Sequence, residues 1–153
     1  MDQQKRADYV ERLARMLESQ GEPRILGRIY GQLVTAEEPY LSLQQLADQL
    51  SVSRGSVSTN TRRLIAMGLI ARVPVPGSRG EHYAPAPGGV RAMMERAVRA
   101  SRELEALMLE GVRLQPRSLT ASTQHLRDMA AFYAGMAEDL ERQLDRPKRR
   151  AAR

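Results

Sequence analysis

The run SRGSVSTNTRR, Ser53 to Arg63, concentrates hydroxyls, an amide and arginines with few bulky side chains. Wound as a helix, it puts Val57 and Leu64 on one side and Gly55, Ser58, Thr59 and Arg62 on the other. Short hydroxyl side chains let a helix sink into a major groove and bond to phosphates or base edges, and arginine reaches guanine or phosphate. Gly55 permits close approach of the backbone. An ordinary solvent-facing helix would carry Glu and Lys for helix propensity, which this run gives away. The chemistry expected is recognition of double-stranded DNA. By helical phase, Ser58, Thr59 and Arg62 are assigned to bases, and Ser53, Arg54, Ser56, Asn60 and Arg63 to phosphates.

Such a helix must be held out from a body. Just before it, SLQQLADQL places Leu43, Leu46, Ala47 and Leu50 at helical spacing, with Ser42 as amino-terminal cap. Ser53 caps the second helix, and Val52 between them plugs the angle, which is the layout of a helix-turn-helix. Gly68 can end the second helix in a left-handed turn. LIARVPV then alternates Leu69, Ala71, Val73 and Val75 against Ile70 and Arg72 like a strand, PGSRGE makes a turn, and HYAPA returns. This hairpin is a wing expected to contact DNA through Arg72 in its first strand and Arg79 at its tip, where an arginine can enter a narrow minor groove. Proline in both strands marks them as edge strands. The stretch Ala36 to Tyr40 turns into a short strand that could join as a third.

From Pro23 to Pro85 the chain resembles the winged-helix region of bacterial MarR-type regulators, in particular their GbsR-like relatives. The most specific pieces are PRILGRIYG, the EEP before the first helix of the motif, VSRGSVS, and GLI, ARV and PGSR in the wing. The resemblance covers somewhat under half the chain and implies a homodimeric, mostly helical transcription regulator that binds DNA. Some relatives resemble sensors of choline or glycine betaine, and nothing outside the matched region carries that ligand over.

Charge follows the same division. The formal net charge of the 153 residues is +6. Ser42 to Pro87 holds Arg54, Arg62, Arg63, Arg72 and Arg79 against Asp48 and Glu81, whereas acids slightly outnumber bases in the residues before it, so the excess begins where DNA contact is expected. Aromatic content of 4% argues against a single-strand platform built on stacked bases. The absence of cysteine excludes disulfides, zinc knuckles and thiol redox sensing. His82 and His125 stand alone, and no metal pair, phosphate loop or nucleophile motif appears, so neither catalysis nor a cofactor is expected. No apolar run approaches the ~18 residues of a membrane span. The start MDQQKRADYV is too polar for a signal peptide, so a cytoplasmic location is expected.

The flanks read as helices. Asp2 to Ser19 carries Tyr9, Leu13 and Met16 on one stripe with Val10 and Leu17 beside it; it packs on a second subunit, on the carboxy-terminal helices, or back on its own domain. The next helix, from Pro23, carries Leu26, Ile29, Tyr30 and Leu33, with Gly27 and Gly31 suited to a close crossing. APAPGGV is a boundary. Beyond it Val90, Met94, Ala97, Ser101, Leu104 and Met108, then after a break at Gly111 to Pro116 the set Leu126, Met129, Tyr133, Met136 and Leu140, form narrow heptad-like seams. The second of these helices is expected from about Ser118 to Leu144. Narrow stripes need partner helices, which points to a homodimer; the methionines are core filler or the lining of an effector pocket. Glu95 with Arg99 and Glu138 with Arg142 fit surface pairs.

The expected fold is mainly α with a small β-hairpin wing, a winged helix-turn-helix with dimerisation helices at both ends. Its divisions are 1–20 (amino-terminal dimerisation helix), 21–87 (DNA-binding domain), 88–145 (helical dimerisation region) and 146–153 (basic, disordered tail). A sequence-specific regulator acting on a palindromic operator is one outcome. A winged helix that docks another protein is the other.

Overall fold

The computed structural model describes residues 2–115 and 120–145. Among them are six helices, α1 (Gln3–Ser19), α2 (Arg24–Thr35), α3 (Leu43–Leu50), α4 (Arg54–Ala66), α5 (Gly89–Leu114) and α6 (Ala121–Asp145). Three short strands, β1 (Leu41–Ser42), β2 (Ile70–Val73) and β3 (His82–Pro85), form an antiparallel sheet in the order β1-β3-β2. The chain divides into two compact units, Met1–Val90 and Arg91–Arg153. The expected helix start at Ser118 and the basic tail lie outside the described residues.

In the first unit, α1 lies on α2 of its own body. The contact is made by small residues: a Cβ on Gly27 would stand 2.6 Å from the Ala14 Cα, and one on Gly31 would stand 3.1 Å from the Val10 Cα. Val10 and Ala14 are buried, while Tyr9 and Met16 of the expected stripe remain exposed. Burial is thus rotated from the stripe of large side chains to the one that fits against glycine. Glu11 fastens the pair by reaching Arg24 and Arg28, each at 2.8 Å, and the hydrogen bond from Arg24 holds its carboxyl below the usual range. Gly27→Ala is expected to lower unfolding stability by about 1–3 kcal/mol, because α1 must back away from α2. Alanine's better helix propensity returns only about 1 kcal/mol. A thermal melt followed by circular dichroism checks the sign.

Behind α4 the core is continuous. Leu26 and Ile29 of α2, Leu46 of α3, Val57 and Leu64 of α4, and Tyr83 of β3 are all fully buried. Ser42 caps α3 in a reciprocal box with Gln45, and Ser51 takes a left-handed conformation (φ 53°) to turn the chain toward Ser53, the cap of α4. Val52 packs in the angle against the core, as its position between the caps requires. Gly68, at φ 70°, closes α4.

The sheet departs from a two-stranded wing with both strands at the edge. β1 joins β3, pairing Leu41 with Tyr83 and Ser42 with His82, so β3 is central. Its proline is tolerated because Pro85 lies past the end of two-residue β1 and faces only Ile70 of β2. In β2, Ile70 is the core residue, opposite to the phase expected from Leu69 and Ala71.

The second unit is an antiparallel helix pair. Arg91 donates to the Leu144 carbonyl at 3.1 Å, Arg102 holds Glu141 at 2.9 Å, and Leu126 reaches to 3.2 Å from where a Cβ on Gly111 would be. Gly111 therefore does not break α5, which runs on to Leu114; its lack of a side chain makes room for Leu126. The fully buried positions of α6 are the small ones, Thr123, Ala130 and Ala137, one heptad apart, with Leu126, Tyr133 and Leu140 half-buried. Glu95 pairs with Arg91 instead of Arg99, whereas Arg142 meets Glu138 and Asp139.

Candidate nucleic-acid interface

Two buried side chains decide which face α4 presents. Val57 and Leu64, both fully buried, seat one arc of the helix on the core, and Thr61 lies between them at 0% exposure. The opposite arc carries Gly55, Thr59 and Arg62 in the open, flanked by half-buried Ser58 and Ser56. Ser53 accepts from the Ser56 amide at 3.1 Å, which leaves its own O–H free to donate outward. Arg54 is exposed in the first turn, where the helix dipole favours an anion.

Asn60 does not belong to the exposed face. It is 7% exposed, and its Nδ2 donates to the Ser56 carbonyl at 2.8 Å. Three residues on from Val57, it falls on the inward arc, so its assignment to phosphate is withdrawn. Arg63 stands at the flank and meets Glu22, in the corner between α1 and α2, at 2.7 Å. Arg62 turns its Nε to the Ser58 carbonyl at 3.2 Å and keeps both terminal nitrogens for an outside partner.

The wing is held together, and seated through Tyr83 on the core behind α4, by groups that the sequence did not single out. The Tyr83 hydroxyl donates to Glu81 Oε2 at 2.8 Å, and Arg72 Nη2 reaches Glu81 Oε1 at 2.8 Å. Burial pushes the Tyr83 phenol above its ordinary pKa; Thr61 of α4, whose hydroxyl donates to the Ser58 carbonyl at 3.1 Å, works against that shift and Glu81 adds to it. Arg79 is exposed at the tip between β2 and β3. Among the described residues, Arg54, Arg62 and Arg79 have no carboxylate within ion-pair distance, whereas Arg63 and Arg72 each have one. Only cross-strand pairing, which sets Arg72 opposite Tyr83, could have marked Glu81 as part of this region.

A family model described as MarR family matches residues 31–79, the stretch from α2 through the wing tip. HTH-type transcriptional regulator MmpR5 of Mycobacterium tuberculosis (strain ATCC 25618 / H37Rv) is 31% identical over 135 residues, spanning 86% of this chain and 82% of that protein. The chain belongs to the MarR family. A solved structure described as a transcriptional regulator is similar to this MarR-family chain at TM-score 0.81 and 30% identity, covering 93% of this chain and 97% of its own. MarR-family relatives are transcription regulators and not enzymes. Among the described residues no group of acids and histidines could hold a metal ion, and no helix is long and apolar enough to cross a membrane.

Proposed function

We propose that the chain is a sequence-specific regulator of transcription that binds double-stranded DNA as a homodimer on a palindromic operator. The observation that supports this best is the open arc of α4, free of bulky side chains and bearing unpaired arginines at Arg54 and Arg62, with unpaired Arg79 on the wing beside it. In this reading Ser58, Thr59 and Arg62 meet base edges, Ser53, Arg54 and Ser56 meet phosphates at the helix start, and Arg79 enters the minor groove.

Family and surface both favour two subunits. MarR-family regulators bind DNA and act as dimers. Exposed Leu107, Leu109 and Leu114 on α5 and Phe132 on α6 are apolar side chains that a second copy would cover. Twofold symmetry would set two α4 helices about 34 Å apart, one turn of DNA. Motifs such as VSRGSVS and PGSR favour the GbsR-like subgroup, the protein acts in the cytoplasm, and an effector that alters operator affinity belongs to the same reading.

Titration of the full chain against duplex DNA at rising salt tests it. Three unpaired arginines in each of two subunits bring about six cations to the duplex and displace about as many counterions, so log affinity should fall with log salt at a slope of about −5. Selection from a random duplex pool should return an inverted repeat. A flat salt response with no recovered sequence would instead favour a winged helix that docks a protein.

A further inference from the structure

Glu81 is the one acid in the segment from Ile70 to Pro85, and it lies in the part of the molecule read as facing a polyanion. A free carboxylate there would be repelled by phosphate. This one has a partner on each oxygen. Its backbone oxygen accepts from the Leu43 amide at the start of α3 at 2.9 Å, Oε2 accepts from the buried Tyr83 hydroxyl, and Oε1 holds Arg72. Tyr83 in turn is buried in the same core as Val57 and Leu64 of α4. One residue thereby touches the first helix of the motif, the central strand and the outer strand of the wing, and its partner Tyr83 is seated in the core on which α4 packs.

We infer that Glu81 is a positioning residue for DNA recognition: it consumes the charge of Arg72 and locks the wing at a fixed place beside α4, leaving Arg79 as the wing's free cation. The inference rests on the DNA-binding reading and removes Arg72 from the residues expected from sequence to contact DNA. Arg72 is over half exposed, so the ion pair alone would be a weak brace. The brace comes from sharing the carboxylate with a hydroxyl that cannot leave the core.

Binding to random and to selected DNA should then respond in opposite directions when the carboxylate is neutralised. Random duplex responds to the number of unpaired cations, whereas a specific site needs α4 and the wing in fixed relation. Glu81→Gln keeps an acceptor for Tyr83 but releases Arg72. In a dimer this adds two free cations, so the salt slope on random duplex should steepen by about 2 and random binding should tighten. Preference for the selected sequence over random duplex should fall about tenfold as the wing loosens. Tyr83→Phe keeps the buried ring and the ion pair, and should lower preference without changing the slope. The double variant Glu81→Gln with Arg72→Gln should return the random-DNA slope to the wild-type value.

The experiment measures affinity of the full chain for the selected and a random duplex across a salt series, with a thermal melt of each variant to confirm folding. Opposed shifts in Glu81→Gln support the inference. An unchanged slope and preference in that variant would overturn it, as would a slope in the double variant shallower than the wild type's, which would make Arg72 a phosphate contact. If Glu81→Gln does not fold, Tyr83→Phe decides the matter: an unchanged preference in it overturns the inference. Wild-type protein that binds no duplex defeats the underlying DNA-binding reading, whereas wild-type binding with unsplit variants defeats only the role given to Glu81.

Discussion

Leu64→Ala is expected to lower unfolding stability by about 2–5 kcal/mol, the cost of a cavity at a fully buried leucine. Leu64 is one of the two apolar anchors of α4, and α4 packs on both α2 and α3. Losing that many contacts at the centre of the first unit removes a large share of the stability of an ordinary domain. Denaturant unfolding measured by circular dichroism gives the size directly, and a loss under about 1 kcal/mol would mean that the site collapses around the smaller side chain. Where the variant stays folded, DNA affinity should fall as well, because the exposed arc of α4 is aimed only by the residues on its buried side.

Arg62→Ala carries the largest expected effect on recognition. The side chain spends its Nε on the Ser58 carbonyl, which fixes the stem and leaves the two terminal nitrogens able to meet guanine O6 and N7 together. Loss of such a bidentate contact should weaken specific binding by about 1–3 kcal/mol and relax preference at one position in each half-site. Affinity measured on the selected duplex, on single-base variants of it and on random duplex separates the possibilities. An equal loss on all three would make Arg62 a phosphate anchor. A loss confined to one base pair per half-site would make it a reader.

The sequence was most informative where local rules act alone. Ser42 and Ser53 were legible as caps because a hydroxyl just before an apolar helical pattern satisfies open amides whatever the rest of the chain does. Val57 and Leu64 fixed the phase of α4 for the same kind of reason, since a seven-residue step returns to nearly the same side of a helix. The wing turn was legible from its proline and glycines.

Tertiary structure decided everything that depends on what a side chain meets across the chain. Asn60 and Arg63 sit in the same helix with the same polar character as Thr59 and Arg62, yet one is sealed inward and the other faces Glu22, forty-one positions earlier in the chain. The stripe of large residues on α1 was the obvious candidate for burial, and close approach of two backbones at Gly27 and Gly31 selected the small-residue face instead. Periodicity reports which side of an element is apolar. Which arginine is neutralised, and which face a neighbour can approach, are set by pairings distant in sequence, and those came only with the packed fold.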